Sequence, residues 1–189
     1  EAQEGPIDPA LEWALFVALI GDKLFKEADE LVSGITVIDK SRLPHILKFL
    51  SNYNSPKLVE RLTEEIHKFN HEEIIEIMNS DVRNTLRVSA ALELQKEGGD
   101  PWVEHQNLAL DIVGQAGNAS QIGTILRKID NSAEKHPYLT LLVYHLLDAS
   151  AKEDLREWAT SSRVISITTL AKGSVNDPNT ASNNLIKIL

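Results

Sequence analysis

The sequence predicts an all-α fold of stacked antiparallel helix pairs, with about 11–12 helices along the chain. Three observations predict it. Helix starts recur in one form, a side-chain acceptor followed by proline, at Asp8-Pro9, Ser55-Pro56, Asp100-Pro101 and Asp177-Pro178. The acceptor caps free amides, and proline presets the first turn without needing an amide donor of its own. Between these boundaries apolar residues recur at three- and four-residue spacing, which places one stripe against neighbouring helices. No stretch has a convincing β-pattern with a partner to pair with.

The elements follow in order. A helix over 9–20 starts at Asp8-Pro9 and holds the longest apolar segment, Trp13 to Ile20. A second is expected over 23–32. Ile35-Thr36-Val37-Ile38 is β-branched but short, and it reads as a connector. Helices are expected next over 43–52 and, from Ser55-Pro56, over 56–69, where Leu58, Leu62, Ile66 and Phe69 form one stripe. Asn70 and Glu73 make an Asn-x-x-Glu variant of the capping box and start a helix over 71–79. Asp81-Val82-Arg83 opens the next, 82–97, and Asp100-Pro101 opens 101–116, with its stripe of Leu108, Ile112, Val113 and Ala116. Ala90, Ala91, Ala109, Gly114 and Gly117 are small residues that permit close backbone approach or a turn. Helices over 119–129, 137–149, 151–160, 162–172 and 178–189 complete the reading. Prolines 9, 56, 101 and 178 stand 47, 45 and 77 residues apart, and His136-Pro137 divides the last interval into 36 and 41. That spacing approaches the ~40–47 residues of two- and three-helix repeats.

Composition narrows the class. At 42% hydrophobic and 25% charged, the chain has enough apolar material for a continuous core, and one domain over 1–189 is expected. It does not begin with methionine, Glu1 to Gly5 are mostly polar, and Asn183 to Leu189 form an apolar-rich helical pattern with no stop signal. A fragment of a longer protein is therefore expected. No run approaches the ~20 apolar residues of a membrane span. Zero cysteines exclude disulfides, thiolate nucleophiles and cysteine-ligated zinc, and they fit a reducing compartment such as the cytoplasm. Asn118-Ala119-Ser120 is a formal glycosylation sequon that matters only in a secreted protein. Net charge is −9, with the acids concentrated at the amino-terminal end. The basic pairs Arg83 with Arg87 and Arg127 with Lys128 are small beside the basic face that a nucleic-acid binder presents.

The motifs of catalysis do not assemble. His67 and His71 have the i, i+4 spacing of two metal ligands on one helix face, but Asn70 caps a new helix between them and no third ligand follows. His45, His105 and His145 sit in helices as packing or hydrogen-bonded residues, and His136 marks a helix start. Adjacent acids such as Glu64-Glu65 and Glu72-Glu73 diverge by about 100° on a helix, as solvated faces do. No phosphate loop, dinucleotide loop or nucleophile elbow is present. Gly114-Gln115-Ala116-Gly117 lacks the basic residues and flanking strands of an RNA-binding Gly-x-x-Gly loop and reads as an interhelical turn. Trp13, Trp102 and Trp158 are expected in core or inter-repeat packing. No catalytic, cofactor-binding or metal residue is assigned, and no cofactor is expected.

Ile74-Ile75-x-Ile77-Met78-x-x-Asp81-Val82-Arg83, followed by Ala90-Ala91-Leu92 and Gly99-Asp100-Pro101, resembles HEAT repeats, an α-solenoid family. The next stretch is similar: Asp100-Pro101-Trp102-Val103, Leu108-Ala109-Leu110, Gly114-x-x-Gly117-Asn118, then Ile122, Ile125 and Leu126, with Glu104 where the family commonly has arginine. The resemblance is clearest over 70–130, and three-helix armadillo-like units remain open for part of the chain. It implies a right-handed superhelical stack with concave and convex helix layers. His71-Glu72 resembles the His-Glu pairs of HEAT-like di-iron deoxyhypusine hydroxylases, but such a site needs several pairs and this chain has one. The function so implied is a non-enzymatic scaffold whose curved surface binds a protein or peptide. Glu60, Glu64, Glu72 and Glu76 are the surface a basic partner would meet, but none is assigned as a binding residue, because charged solvent faces are what helices ordinarily present. The alternatives are a nucleic-acid-binding HEAT-like repeat, disfavoured by net charge, and an accessory helical domain of a larger enzyme.

Overall fold

The computed structural model describes residues 8–32, 41–136, 139, 140, 143 and 158. Among the described residues all regular structure is helical: α1 (Pro9–Gly21), α2 (Phe25–Val32), α3 (Leu43–Asn52), α4 (Pro56–Glu65), α5 (His71–Asn79), α6 (Asn84–Glu97), α7 (Gly99–Ala116), α8 (Ala119–Leu126) and α9 (Ser132–Lys135), with a 3-10 turn at Ile66–Lys68. The expected helices over 151–160, 162–172 and 178–189, and most of 137–149, lie outside the described residues. Contacts group the chain into two compact units, Glu1–Glu93 and Leu94–Leu189, with the division falling inside α6.

In the first unit, the Asp8 side chain accepts from the Ala10 amide at 2.9 Å and Pro9 opens α1. Helix α1 ends in a Schellman pattern: the Leu24 amide donates to Leu19 O at 2.9 Å and the Lys23 amide to Ile20 O at 3.1 Å. Lys23 holds the left-handed position of that motif, φ +62°, so α2 starts at Phe25 rather than at the expected 23. Helices α1 and α2 pack on each other across this turn. Phe16, Ala28, Val32, Leu43, Ile46 and Phe49 are fully buried between α1, α2 and α3.

An aromatic cluster fills that space. Phe49 sits 5.5 Å from Phe16, 6.3 Å from Phe25 and 5.4 Å from Tyr53, ring centre to ring centre. Trp13 continues it, 4.9 Å from Phe16, with the Arg42 guanidinium 5.0 Å over its indole. Edge-on and tilted ring pairs of this kind add about 0.5–1.5 kcal/mol beyond the area they bury.

Ser55 caps α4 from a fully buried position, accepting from the Leu58 amide at 3.3 Å. The stripe Leu58, Leu62, Ile66 and Phe69 is buried as the spacing predicts, but the α-helix tightens into the 3-10 turn after Glu65, short of the expected 69. The capping box of α5 is complete: Glu73 N–H donates to Asn70 Oδ1 at 3.0 Å, and Asn70 N–H donates to Glu73 Oε2 at 2.8 Å. Helix α6 begins two residues later than expected. Val82 is buried ahead of it, and the Arg83 carbonyl accepts from the Leu86 and Arg87 amides, so Arg83 occupies the cap rather than the first turn.

Leu94 opens the second unit, in which α7 starts earlier than Asp100-Pro101 predicts. Gly98 and Gly99 both adopt φ +74°, a conformation costly for any side chain, and they reverse the chain so that Gly98 caps and Asp100 falls in the first turn. Pro101 is still accommodated, since first-turn amides have no intrahelical acceptor. The buried face of α7 is Trp102, Ala109, Leu110, Ile112 and Val113; Leu108 is half-buried and Ala116 exposed, so the stripe is rotated slightly from the expected one. Helix α8 packs on α7 and starts at a second capping box, in which Gln121 N–H donates to Asn118 Oδ1 at 3.0 Å and Asn118 N–H to Gln121 Oε1 at 2.8 Å. Ile122, Ile125, Leu126 and Ile129 are buried. Helix α8 stops at Leu126, and 127–129, expected to be helical, form a turn.

Candidate functional site

The histidines do not converge. His67 lies in the 3-10 turn and His71 is the first residue of α5, with the Asn70 cap between them, so the helix break falls where the sequence places it. The His71-Glu72 pair is exposed. His105 Nδ1 lies 3.0 Å from Pro101 O of its own helix. His136 is the C-cap of α9, and its carbonyl accepts from the Thr140 amide and hydroxyl at 3.0 and 2.9 Å. His45 is exposed, edge-on to Trp13 at 5.9 Å, and His145 lies outside the described residues. Among the described residues no three His, Asp or Glu side chains gather as a metal would need.

The carboxylates divide into structural and solvent-facing sets. Glu65 pairs with Arg61 at 3.5 Å and with Lys68 at 3.8 Å, while Glu73 is buried in its capping box. Their chain neighbours Glu64 and Glu72 point outward, as the helical angle requires. Glu60 and Glu76 are exposed as well, giving like-charged i, i+4 pairs on α4 and α5. None of these four acids makes an ion pair among the described residues.

The basic pairs are also separated by role. Arg87 Nε donates to Met78 O at 3.0 Å, satisfying a carbonyl in the last turn of α5, where helices leave such groups unpaired. Arg127 is half-buried and engaged, whereas Arg83 and Lys128 are exposed. Gly117 ends α7, and a Cβ there would fall 2.6 Å from both Val113 Cγ1 and Val113 O, which explains the second glycine of Gly114-x-x-Gly117 as a tight turn. Asn118 of the formal sequon serves as the cap of α8. Trp102 is buried, Trp13 belongs to the aromatic cluster and Trp158 is half-buried in helix.

One concave feature lies where the sequence reading assigned nothing. A groove of about 400 Å³ runs between α1, α2 and α3. Its floor is Val17, Ile20 and Phe25, all half-buried, and its rim carries the exposed side chains of Lys23, His45 and Lys48. That volume is in the range of small-ligand and side-chain pockets, ~300–1,000 Å³. Two of the rim residues, His45 and Lys48, fall in a charge gap: residues 40–57 hold Lys40, Arg42, Lys48 and Lys57 and no Asp or Glu, in a chain of net charge −9. Among the described residues no helix is long and apolar enough to cross a membrane. Comparison of the chain with protein-family models, with curated proteins and with solved structures finds no match in any of the three.

Proposed function

We propose that this chain is a segment of a HEAT- or armadillo-like α-solenoid that acts as a non-enzymatic scaffold, holding a protein or peptide partner on preformed helix surfaces. The observation that carries the reading is the pair of acidic faces on α4 and α5. Glu60 with Glu64, and Glu72 with Glu76, stand four residues apart, exposed and without ion pairs among the described residues. Like charges at that spacing disfavour a helix by about 0.2–0.5 kcal/mol per pair, and of the four only Glu72, in the first turn of α5, is favoured by a helix dipole. A basic partner relieves the repulsion and supplies the missing charge. Consecutive helices that pack across short capped turns, as α1 on α2 and α7 on α8, support a repeat architecture. Rigid surfaces of this kind bind with little ordering cost to the scaffold.

Affinity capture with the intact protein tests the reading, with the captured partner then challenged by salt and by a Glu60→Gln, Glu64→Gln, Glu72→Gln, Glu76→Gln variant. Retention of a basic partner that salt releases and the variant fails to hold is the expected result. Turnover of a small molecule by this chain alone, with no partner retained, overturns it.

A further inference from the structure

We propose that the groove between α1, α2 and α3 binds an acidic peptide segment, with an apolar side chain on the floor of Val17, Ile20 and Phe25 and carboxylates at Lys23, His45 and Lys48. The inference rests on the scaffold reading and names a second partner chemistry for it, at a surface opposite in sign to the acidic faces of α4 and α5.

Charge selects the occupant. The acids of α1, its cap and α2, namely Glu12, Asp22, Glu27, Asp29 and Glu30, do not line the groove, although Asp22 lies between the lining residues Gly21 and Lys23. Lys23 and Lys48 make no ion pair among the described residues, whereas Arg61 and Lys68 are both drawn to Glu65. Two uncommitted ammonium groups and an imidazole over an apolar floor complement a ligand with an apolar centre and anionic flanks. Charge complementarity of this kind fixes which partner docks and how fast it arrives. A dry floor and a charged rim are also the usual division of an interface into anchor and periphery.

Lys23 supplies a second, independent argument. It occupies the left-handed position that ends α1, φ +62°, where glycine is the ordinary residue because a Cβ is unfavourable there. The side chain is exposed and packs no core. Backbone strain kept where it does not serve folding points to a role for the side chain, and this side chain stands on the groove rim.

The test titrates the intact chain into two fluorescein-labelled peptides, one with a leucine pair flanked on both sides by glutamates, the other with lysines in place of the glutamates. Anisotropy reads binding. The glutamate peptide is expected to bind, more weakly as salt rises. The Lys23→Gly, Lys48→Glu double variant is expected to weaken it by roughly tenfold or more. Lys23→Gly alone separates binding from folding, because the melting temperature rises while affinity for the glutamate peptide falls. Failure of the glutamate peptide to bind, or equal binding to the double variant, overturns the proposal. Binding of the lysine peptide alone, lost in the Glu-to-Gln variant of α4 and α5, also overturns it and leaves the scaffold reading standing. Salt-sensitive self-association that both variants abolish overturns it in favour of a second copy's acidic face as the occupant.

Discussion

Replacing Lys23 with glycine sets two opposing effects against each other at one residue. In the left-handed region an L-residue suffers a Cβ–carbonyl approach costing about 1–2 kcal/mol, which glycine avoids. Against this, glycine makes the unfolded chain more flexible, at a cost of about 0.5–1 kcal/mol. Nothing else changes sign, since Lys23 is exposed and makes no ion pair among the described residues. Both backbone bonds of the motif, Leu24 N–H to Leu19 O and Lys23 N–H to Ile20 O, use main-chain atoms that glycine keeps. The difference favours Lys23→Gly by about 0.5–1 kcal/mol. For a chain of this size that is a rise in melting temperature of about 1–4 °C. Urea unfolding followed by circular dichroism, with thermal melts at matched concentration, measures it. A fall in midpoint urea concentration at unchanged slope would show that the turn is not left-handed at Lys23, and the Schellman assignment would be refuted.

Four further substitutions check the fold. Phe49→Ala removes a fully buried ring that meets Phe16, Phe25 and Tyr53, and should cost about 3–5 kcal/mol in urea unfolding. Asn70→Ala and Asn118→Ala each break one reciprocal capping box and should each cost about 1 kcal/mol, with faster amide exchange confined to the first turn of α5 or α8. Gly117→Ala drives a Cβ to 2.6 Å from a backbone carbonyl and should destabilise by about 1–3 kcal/mol; a neutral result would mean that the α7–α8 turn relaxes. Glu60→Gln with Glu76→Gln should stabilise slightly at low salt, by about 0.2–0.5 kcal/mol each, and the gain should vanish at high salt, whereas Glu72, in the first turn of α5, is favoured by the helix dipole and is left in place.

Element starts marked by a side-chain acceptor and proline were legible at Asp8-Pro9 and Ser55-Pro56, because the same two atoms that define the cap are encoded there. Asp100-Pro101 misled for a physical reason: the tandem Gly98-Gly99 turn, both residues at positive φ, takes precedence over the side-chain cap and starts α7 earlier. The start of α8 at Ala119 was legible too, and its Asn118-Gln121 box follows the same Asn-x-x-Gln/Glu logic as Asn70-Glu73. The groove was not legible. Val17, Ile20, Phe25, His45 and Lys48 are spread over three helices, and only their packing brings them together. What the linear order does hold is the absence of acids from 40–57, a pattern visible only as a departure from the chain's overall charge.

The two charged surfaces do not have equal standing as sites. Exposed glutamates on α4 and α5 cost the helices a few tenths of a kcal/mol per like-charged pair, and Glu72 recovers part of that from the helix dipole. Asn131, the other non-glycine residue at positive φ, is of a type that adopts that conformation readily, so its φ of +55° requires no further cause. Lys23 differs from both. A residue that opposes its own turn by about 0.5–1 kcal/mol, where one substitution removes the strain, is the place to test for a role outside folding. It lines the groove together with His45 and Lys48, whereas the acids Asp22, Glu27, Asp29 and Glu30 do not line it. A melting temperature that rises on Lys23→Gly while peptide affinity falls is the signature of that conflict, and a lysine that only ends α1 would not produce both.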